Sequence, residues 1–124
     1  MPTLSEVLKL DKQDSELVHR CVRAIADGQF LPDWEFRLLT GADRDEIRSV
    51  ADNWPSVSAD KVSFMIVNNC LVNLLGYPHG MYDDIPALIA TSIEGIEEVL
   101  RRVRDSAKDS FLAGRNEETS DSLS

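Results

Sequence analysis

The sequence predicts an all-α fold, a single compact domain of five to six helices around one buried central helix at about residues 60–75. Two observations lead to this prediction. Apolar residues recur at intervals of three and four through most of the chain, the spacing that places them on one face of a helix. Residues 60–75 are instead apolar on almost every face, which is typical of a helix enclosed by others. A chain of 124 residues, 43% of them hydrophobic, can bury such a core, and we place the helical domain at residues 1–112.

Capping signals predict the first two helices. Thr3 and Glu6 have the three-residue spacing of a capping box, so a short helix is expected to follow Thr3. A second helix is expected to begin at Asp14 or Ser15, where a short polar side chain can cap it. His19 lies outside the apolar stripe of this helix and is predicted to be a surface residue. The stripe consists of Leu17, Val18, Cys21, Val22 and Ile25.

Residues 33–54 are predicted to form two short helices joined by a tight turn at Gly41. Asp43 and Glu46 offer capping-box spacing at the start of the second helix. The spacing resembles a helix–turn–helix, but the segment contains six acidic residues against three arginines, and this excess would repel a phosphate backbone. The segment is therefore predicted to be a corner of the core. Three aromatic residues are expected to fill the gaps between helices: Trp34, Phe36 and Trp54.

The central segment carries three asparagines inside its apolar run: Asn68, Asn69 and Asn73. Asn69 and Asn73 are four residues apart and share one helix face, while Asn68 points about 100° away. A buried amide without a hydrogen bond costs about 1–3 kcal/mol, so these side chains need specific partners. We expect Asn69 and Asn73 to bind backbone groups of a neighbouring segment. A dimer seam and a ligand site are the two alternatives for the same face.

The turn that follows, residues 76–84, contains the one local cluster suited to acid–base chemistry. Histidine is a common general acid or base in proteins, and Tyr82, Asp83 and Asp84 lie close to His79 in sequence. No motif places a nucleophile beside it, so no catalytic residue is assigned. The candidate ligand or partner site predicted from the sequence consists of His79, Tyr82, Asn69 and Asn73.

The last helix is predicted from a regular apolar stripe, and a polar segment follows it. The stripe is formed by Ile93, Ile96, Leu100, Val103 and Ala107. From residue 113 the chain is polar and acidic with almost nothing to bury, so residues 113–124 are predicted to be a disordered acidic tail.

Composition limits the function classes. The formal net charge of −9 argues against binding to nucleic acid or to anionic membrane surfaces. Cys21 and Cys70 lack companions at metal-ligand spacing, and His19 and His79 are 60 residues apart, so no metal or cofactor is expected. Isolated cysteines in apolar patterns, with no signal-peptide pattern at the start, favour a cytoplasmic location.

The favoured functional hypothesis is a non-catalytic, acidic helical module that binds another protein, and the negative charge favours a basic protein as that partner. Phosphate-binding glycine loops, the GxSxG elbow and the HExxH motif are all missing from the sequence. Bacterial immunity and antitoxin-like proteins have a similar size and charge, so an inhibitor or regulator of this kind is one form of the hypothesis.

Two alternatives come from other function classes. One is a small enzyme or ligand-binding protein that uses a site around His79 and the face of Asn69 and Asn73. The other is a structural homodimer with an interface through Trp34, Phe36 or the last helix.

Overall fold

The structure is a computed structural model that describes residues 2–28 and 30–108. Within these residues the chain is all-α, as predicted, and its only β-type pairing is a single bridge between Thr3 and Ser58. Two 3₁₀ helices, Asp33–Glu35 and Tyr82–Asp84, precede α3 and α6. The seven α-helices are α1, Leu4–Val7; α2, Lys12–Asp27; α3, Phe36–Thr40; α4, Arg44–Asn53; α5, Lys61–Gly76; α6, Ile85–Ile89; and α7, Ile93–Ala107.

The described residues contain more α-helices than the five to six predicted. Three of them, α1, α3 and α6, are only four or five residues long. Such short helices contain too few periodic positions to be counted reliably from a sequence pattern. The predicted domain end at residue 112 and the predicted disordered tail, residues 113–124, lie outside the described residues.

Side chains cap the helices largely as the sequence predicts. The predicted capping boxes at Thr3 for α1 and at Asp43 for α4 are present, whereas the spacing of Thr91 and Glu94, which also predicts a capping box, is not used: Ser92 caps α7 by accepting from the backbone N–H of Gly95. The start of α2 differs, because Asp11 accepts the capping hydrogen bond from the backbone N–H of Asp14 at 2.8 Å. This helix therefore begins about one turn before the predicted position. Gly41 adopts φ = 82° at the end of α3, a left-handed conformation that glycine accommodates without strain.

Helix α5 is the predicted central helix, and it packs against α2, α3 and α7. Its enclosure is incomplete, because Val62 is 64% exposed and Met65 is 44% exposed. The prediction of burial on every side is therefore wrong for the first turns. Helix α3 covers α5 at Asn69 and Asn73 and spans only five residues, whereas Val62 lies about 10 Å further along the α5 axis. The fully buried side chains of α5 are Val67, Cys70, Leu71 and Leu74.

The three aromatic residues that were predicted to fill the core differ in solvent exposure. Phe36 is buried and Trp54 is half-buried, but Trp34 is 79% exposed. The prediction that Trp34 fills a gap in the core is wrong. Two residues along a helical segment differ by about 200° in direction, so when Phe36 points inward Trp34 must point outward. Because Phe36 is buried, its side chain has no exposed surface to contribute to a dimer interface.

Candidate functional site

Asn69 and Asn73 fasten α3 to α5. The side-chain N–H of Asn69 donates to the carbonyl of Thr40 at 3.1 Å, and that of Asn73 donates to the carbonyl of Leu39 at 2.9 Å. Both acceptors lie in the last turn of α3, where backbone carbonyls have no partner within the helix. The prediction that these amides bind backbone groups of a neighbouring segment is confirmed. Asn68 points elsewhere and accepts a hydrogen bond from Arg104 of α7 at 3.2 Å.

The ring of His79 is held by two hydrogen bonds that close the turn after α5. Its Nδ1 accepts from the backbone N–H of Met81 at 2.9 Å, and its Nε2 lies 2.8 Å from the carbonyl of Leu74. Because Nδ1 accepts, the arrangement fits a neutral ring that carries its proton on Nε2 and donates it to Leu74. Both ring nitrogens are therefore engaged in structure. A proton transfer through either one would first require that bond to break.

Tyr82 and Tyr77 connect the same turn to the segment before α3. The ring of Tyr82 lies 4.4 Å from that of His79, centroid to centroid, and its hydroxyl donates to the carbonyl of Tyr77 at 2.8 Å. The hydroxyl of Tyr77 donates to Glu35 Oε2 at 2.7 Å, and this hydrogen bond raises the pKa of Tyr77 above its ordinary value. Asp83 and Asp84 are exposed, and neither is among the described partners of the His79 ring.

The four predicted site residues thus form two separate pairs. Asn69 and Asn73 lie against the end of α3, whereas His79 and Tyr82 lie in the turn after α5. Both pairs support the same segment, residues 33–40: the amides hold its end, and the turn holds its start through Tyr77.

The supported segment presents apolar side chains outward. Leu38 is 82% exposed, and it follows the exposed Trp34 by four residues, about one helical turn. At the other end of the segment, the Met65 Cε atom lies 3.9 Å from the position that a Cβ on Gly41 would occupy. Met65 of α5 therefore lies beside the end of α3, whereas the start of the segment contacts Tyr77 at the far end of α5. We call the exposed pair Trp34 and Leu38 the Trp34 surface.

The region around the Trp34 surface keeps an acidic excess after ion pairing. Arg37 is shared between two acids, Asp43 and Glu46, at 3.2 Å from each. Arg44 pairs with Asp33 at 2.7 Å, but the Asp33 side chain remains 84% exposed. Arg37 and Arg44 are thus both paired with carboxylates, and the charge that remains unpaired in this region is negative.

A groove elsewhere on the molecule was not predicted from the sequence. It has a volume of about 660 Å³ and is lined by residues of α1, of α2 and of the segment after α4, among them His19, Ser15 and Trp54. The indole N–H of Trp54 lies 3.0 Å from the carbonyl and 3.1 Å from the hydroxyl of Ser15. His19 Nε2 is buried and has no described hydrogen-bond partner, so His19 is not the plain surface residue that the sequence predicted. Sequence position gives no signal for this groove because its walls come from three separate segments.

The described residues offer little to metal or thiol chemistry. They include no group of three or more His, Cys, Asp or Glu side chains that could hold a metal ion. Cys21 and Cys70 are both buried. Burial raises the pKa of Cys21 to about 12 and raises that of Cys70 as well, so neither thiol is a ready nucleophile at neutral pH. In the same part of the chain, every helix is too short or too polar to cross a membrane.

Comparison with protein-family models, with curated proteins and with solved structures finds no match for this chain.

Proposed function

We propose that this protein is a non-catalytic, acidic module that binds a basic partner protein through the Trp34 surface. The observation that carries the proposal is the exposure of Trp34 and Leu38, 79% and 82% respectively. The segment that contains them is held against α5 by hydrogen bonds from Asn69 and Asn73. Burial of one large apolar side chain contributes about 1.5–3 kcal/mol. Trp is also among the residues that most often dominate binding energy at protein interfaces.

Rigidity of the segment supports a binding role. Helix α3 is only five residues long, which is too short to be stable by itself. It is held by the amides of Asn69 and Asn73, by the buried ring of Phe36 and by the hydrogen bond from Tyr77 to Glu35. A surface ordered before binding loses less conformational entropy when the partner arrives.

Charge favours a basic partner over a second copy of this chain. Residues 33–54 contain six acidic residues against three arginines, and the whole chain has a net charge of −9. Two copies joined through the Trp34 surface would bring like charges together, whereas a basic protein would meet complementary charge. A basic toxin or enzyme held by an immunity or antitoxin-like inhibitor is one form of this function, and a regulatory complex is another.

The enzyme or ligand-binding alternative around His79 has weaker support. Both nitrogens of His79 are engaged with backbone groups, and the amides of Asn69 and Asn73 donate to backbone carbonyls. A ligand at these residues would have to replace hydrogen bonds that hold α3 and the turn in place.

The test is recovery of the partner from cells that naturally contain the protein, with the full chain as bait. The complex is then reconstituted from purified components and its affinity measured by calorimetry. The double substitution Trp34→Ser/Leu38→Ser should weaken binding about thirtyfold or more, because it removes two apolar anchors. Leu88→Ser is the matched control, since Leu88 is also exposed, at 57%, but lies on α6.

Binding should also weaken as salt concentration rises, because the proposed attraction is partly electrostatic. Equal loss of affinity in the double variant and in Leu88→Ser would contradict the proposal. Sedimentation provides a second test. A stable homodimer at micromolar concentration that is dissociated by Trp34→Ser/Leu38→Ser would assign the Trp34 surface to a second copy, and the basic-partner proposal would be wrong.

A further inference from the structure

The groove beside Trp54 has the composition of a site for a cation carried on an apolar stem. Its volume of about 660 Å³ falls within the usual range for ligand sites. Leu10, Trp54 and Pro55 give it an apolar and aromatic lining. We call it the Trp54 groove.

The charged residues of the Trp54 groove are mostly acidic. Its lining includes the carboxylates of Glu6, Asp11 and Glu16 against one cation, Lys12. Glu6 and Asp11 also cap helices α1 and α2, which holds their carboxylates in place. Glu16 is exposed and makes no described hydrogen bond or ion pair, so its carboxylate is available to a ligand.

The aromatic side chain of Trp54 is suited to a planar cation. The indole of Trp54 is fixed by its hydrogen bonding to Ser15, and Trp is the strongest of the aromatic residues as a cation–π partner. His19 also lines the groove, but its Nε2 atom is buried from solvent and is not counted among the groups that contact the ligand. A guanidinium group is planar, stacks on aromatic rings and presents five N–H donors.

We infer that the Trp54 groove binds an arginine side chain of a partner protein, with the guanidinium between Trp54 and the carboxylate of Glu16. The assignment to a partner protein rests on the proposed function. The preference for arginine rests on the groove residues, none of which belongs to the Trp34 surface. The two proposals can therefore fail separately.

The experiment is an NMR titration of the full chain with N-acetyl-L-arginine amide, with the citrulline analogue as a neutral control of nearly the same shape. The chain contains two histidines and two tryptophans, so each groove ring has an internal reference. Signals of His19 and Trp54 should shift and saturate, on the order of millimolar for one side chain. Signals of His79 and Trp34 should shift far less. The citrulline analogue should bind more weakly by a factor of about ten or more, because it lacks the positive charge.

Variants separate the groove from general attraction to an acidic protein. Glu16→Gln should weaken arginine binding about threefold, the effect of one partly exposed carboxylate. Glu94→Gln removes the same charge from α7, outside the groove lining, and should leave binding unchanged. Equal binding of the citrulline analogue, equal shifts at both histidines, or no saturation would overturn the assignment. Because these readouts do not involve the partner, such a failure would leave the Trp34 surface and its own test untouched.

Discussion

The side-chain amide of Asn73 donates to the backbone carbonyl of Leu39 at 2.9 Å and joins the most apolar helix of the protein to the end of α3. The same amide donates to the carbonyl of Asn69 at 2.8 Å, so both of its hydrogens are used. This explains why an apolar helix contains asparagines. A five-residue helix packed on α5 leaves carbonyls at its end that need donors, and α5 supplies them.

Removal of the Asn73 amide should destabilise the fold. Asn73→Ala leaves the half-buried carbonyl of Leu39 without its donor, and the cost should be about 1–3 kcal/mol in the free energy of unfolding, measured by urea denaturation. Asn53→Ala is the control: Asn53 is exposed and donates only within its own helix, so its loss should cost about 0.5 kcal/mol or less. If both variants lose the same stability, the fastening role of Asn73 is wrong.

The two cysteine thiols should resist modification in the native state. Cys21 and Cys70 have no exposed surface, and burial raises the pKa of both, so reaction requires unfolding of the surrounding core. Ellman's reagent at pH 8 should react about a thousandfold more slowly with the native protein than with the chain in guanidinium chloride. The thiol added by Leu88→Cys, at an exposed position, serves as the control and should react on mixing. Rapid reaction of both native thiols would contradict the buried α2–α5 contact.

The N-cap carboxylate of α4 should make stability depend on acid pH. The backbone N–H of Glu46 donates to Asp43 at 2.9 Å and is the main cause that lowers the pKa of Asp43, with a smaller contribution from Arg37. A carboxyl with a lowered folded-state pKa stabilises the fold above its ordinary pKa, and this contribution disappears as the pH falls through the lowered value. The difference in unfolding free energy between the wild type and Asp43→Asn should therefore be largest near pH 7 and shrink below about pH 4.

Urea denaturation at pH 7, 5 and 3 measures this difference. Asp83→Asn provides the control, because Asp83 is exposed and caps no helix. A gap between the wild type and Asp43→Asn that widens toward pH 3 would show that the capping carboxylate does not act in this way.

The candidate site was predictable in part. The position of Asn69 and Asn73 on one face of a buried helix follows from their spacing, and the need for partners follows from the cost of a buried amide. The identity of those partners, Thr40 and Leu39, does not follow, because they lie 29 and 34 residues away in the chain. His79 looks like a candidate for acid–base chemistry in the sequence, since nothing local shows that Leu74 and Met81 engage both of its nitrogens.

The exposed and concave surfaces were the least predictable features. The sequence pattern predicts the same burial for Trp34 and Phe36, because both are large aromatic residues near the start of a helix. Only the packing of α3 on α5 decides that one points inward and the other outward. The Trp54 groove shows the same limit, because the residues around His19 come from segments that no local rule brings together.

Local spacing along the chain accounts for the all-α class, the apolar stripes of α2 and α7 and the two capping boxes at Thr3 and Asp43. These features depend on residues within about one helical turn of each other, so local spacing contains the whole physical cause. Which apolar residues remain in water and which polar atoms find partners depends on how the helices pack together. Burial and hydrogen bonding at those positions depend on segments that meet only when the chain folds, as the end of α3 meets Asn73.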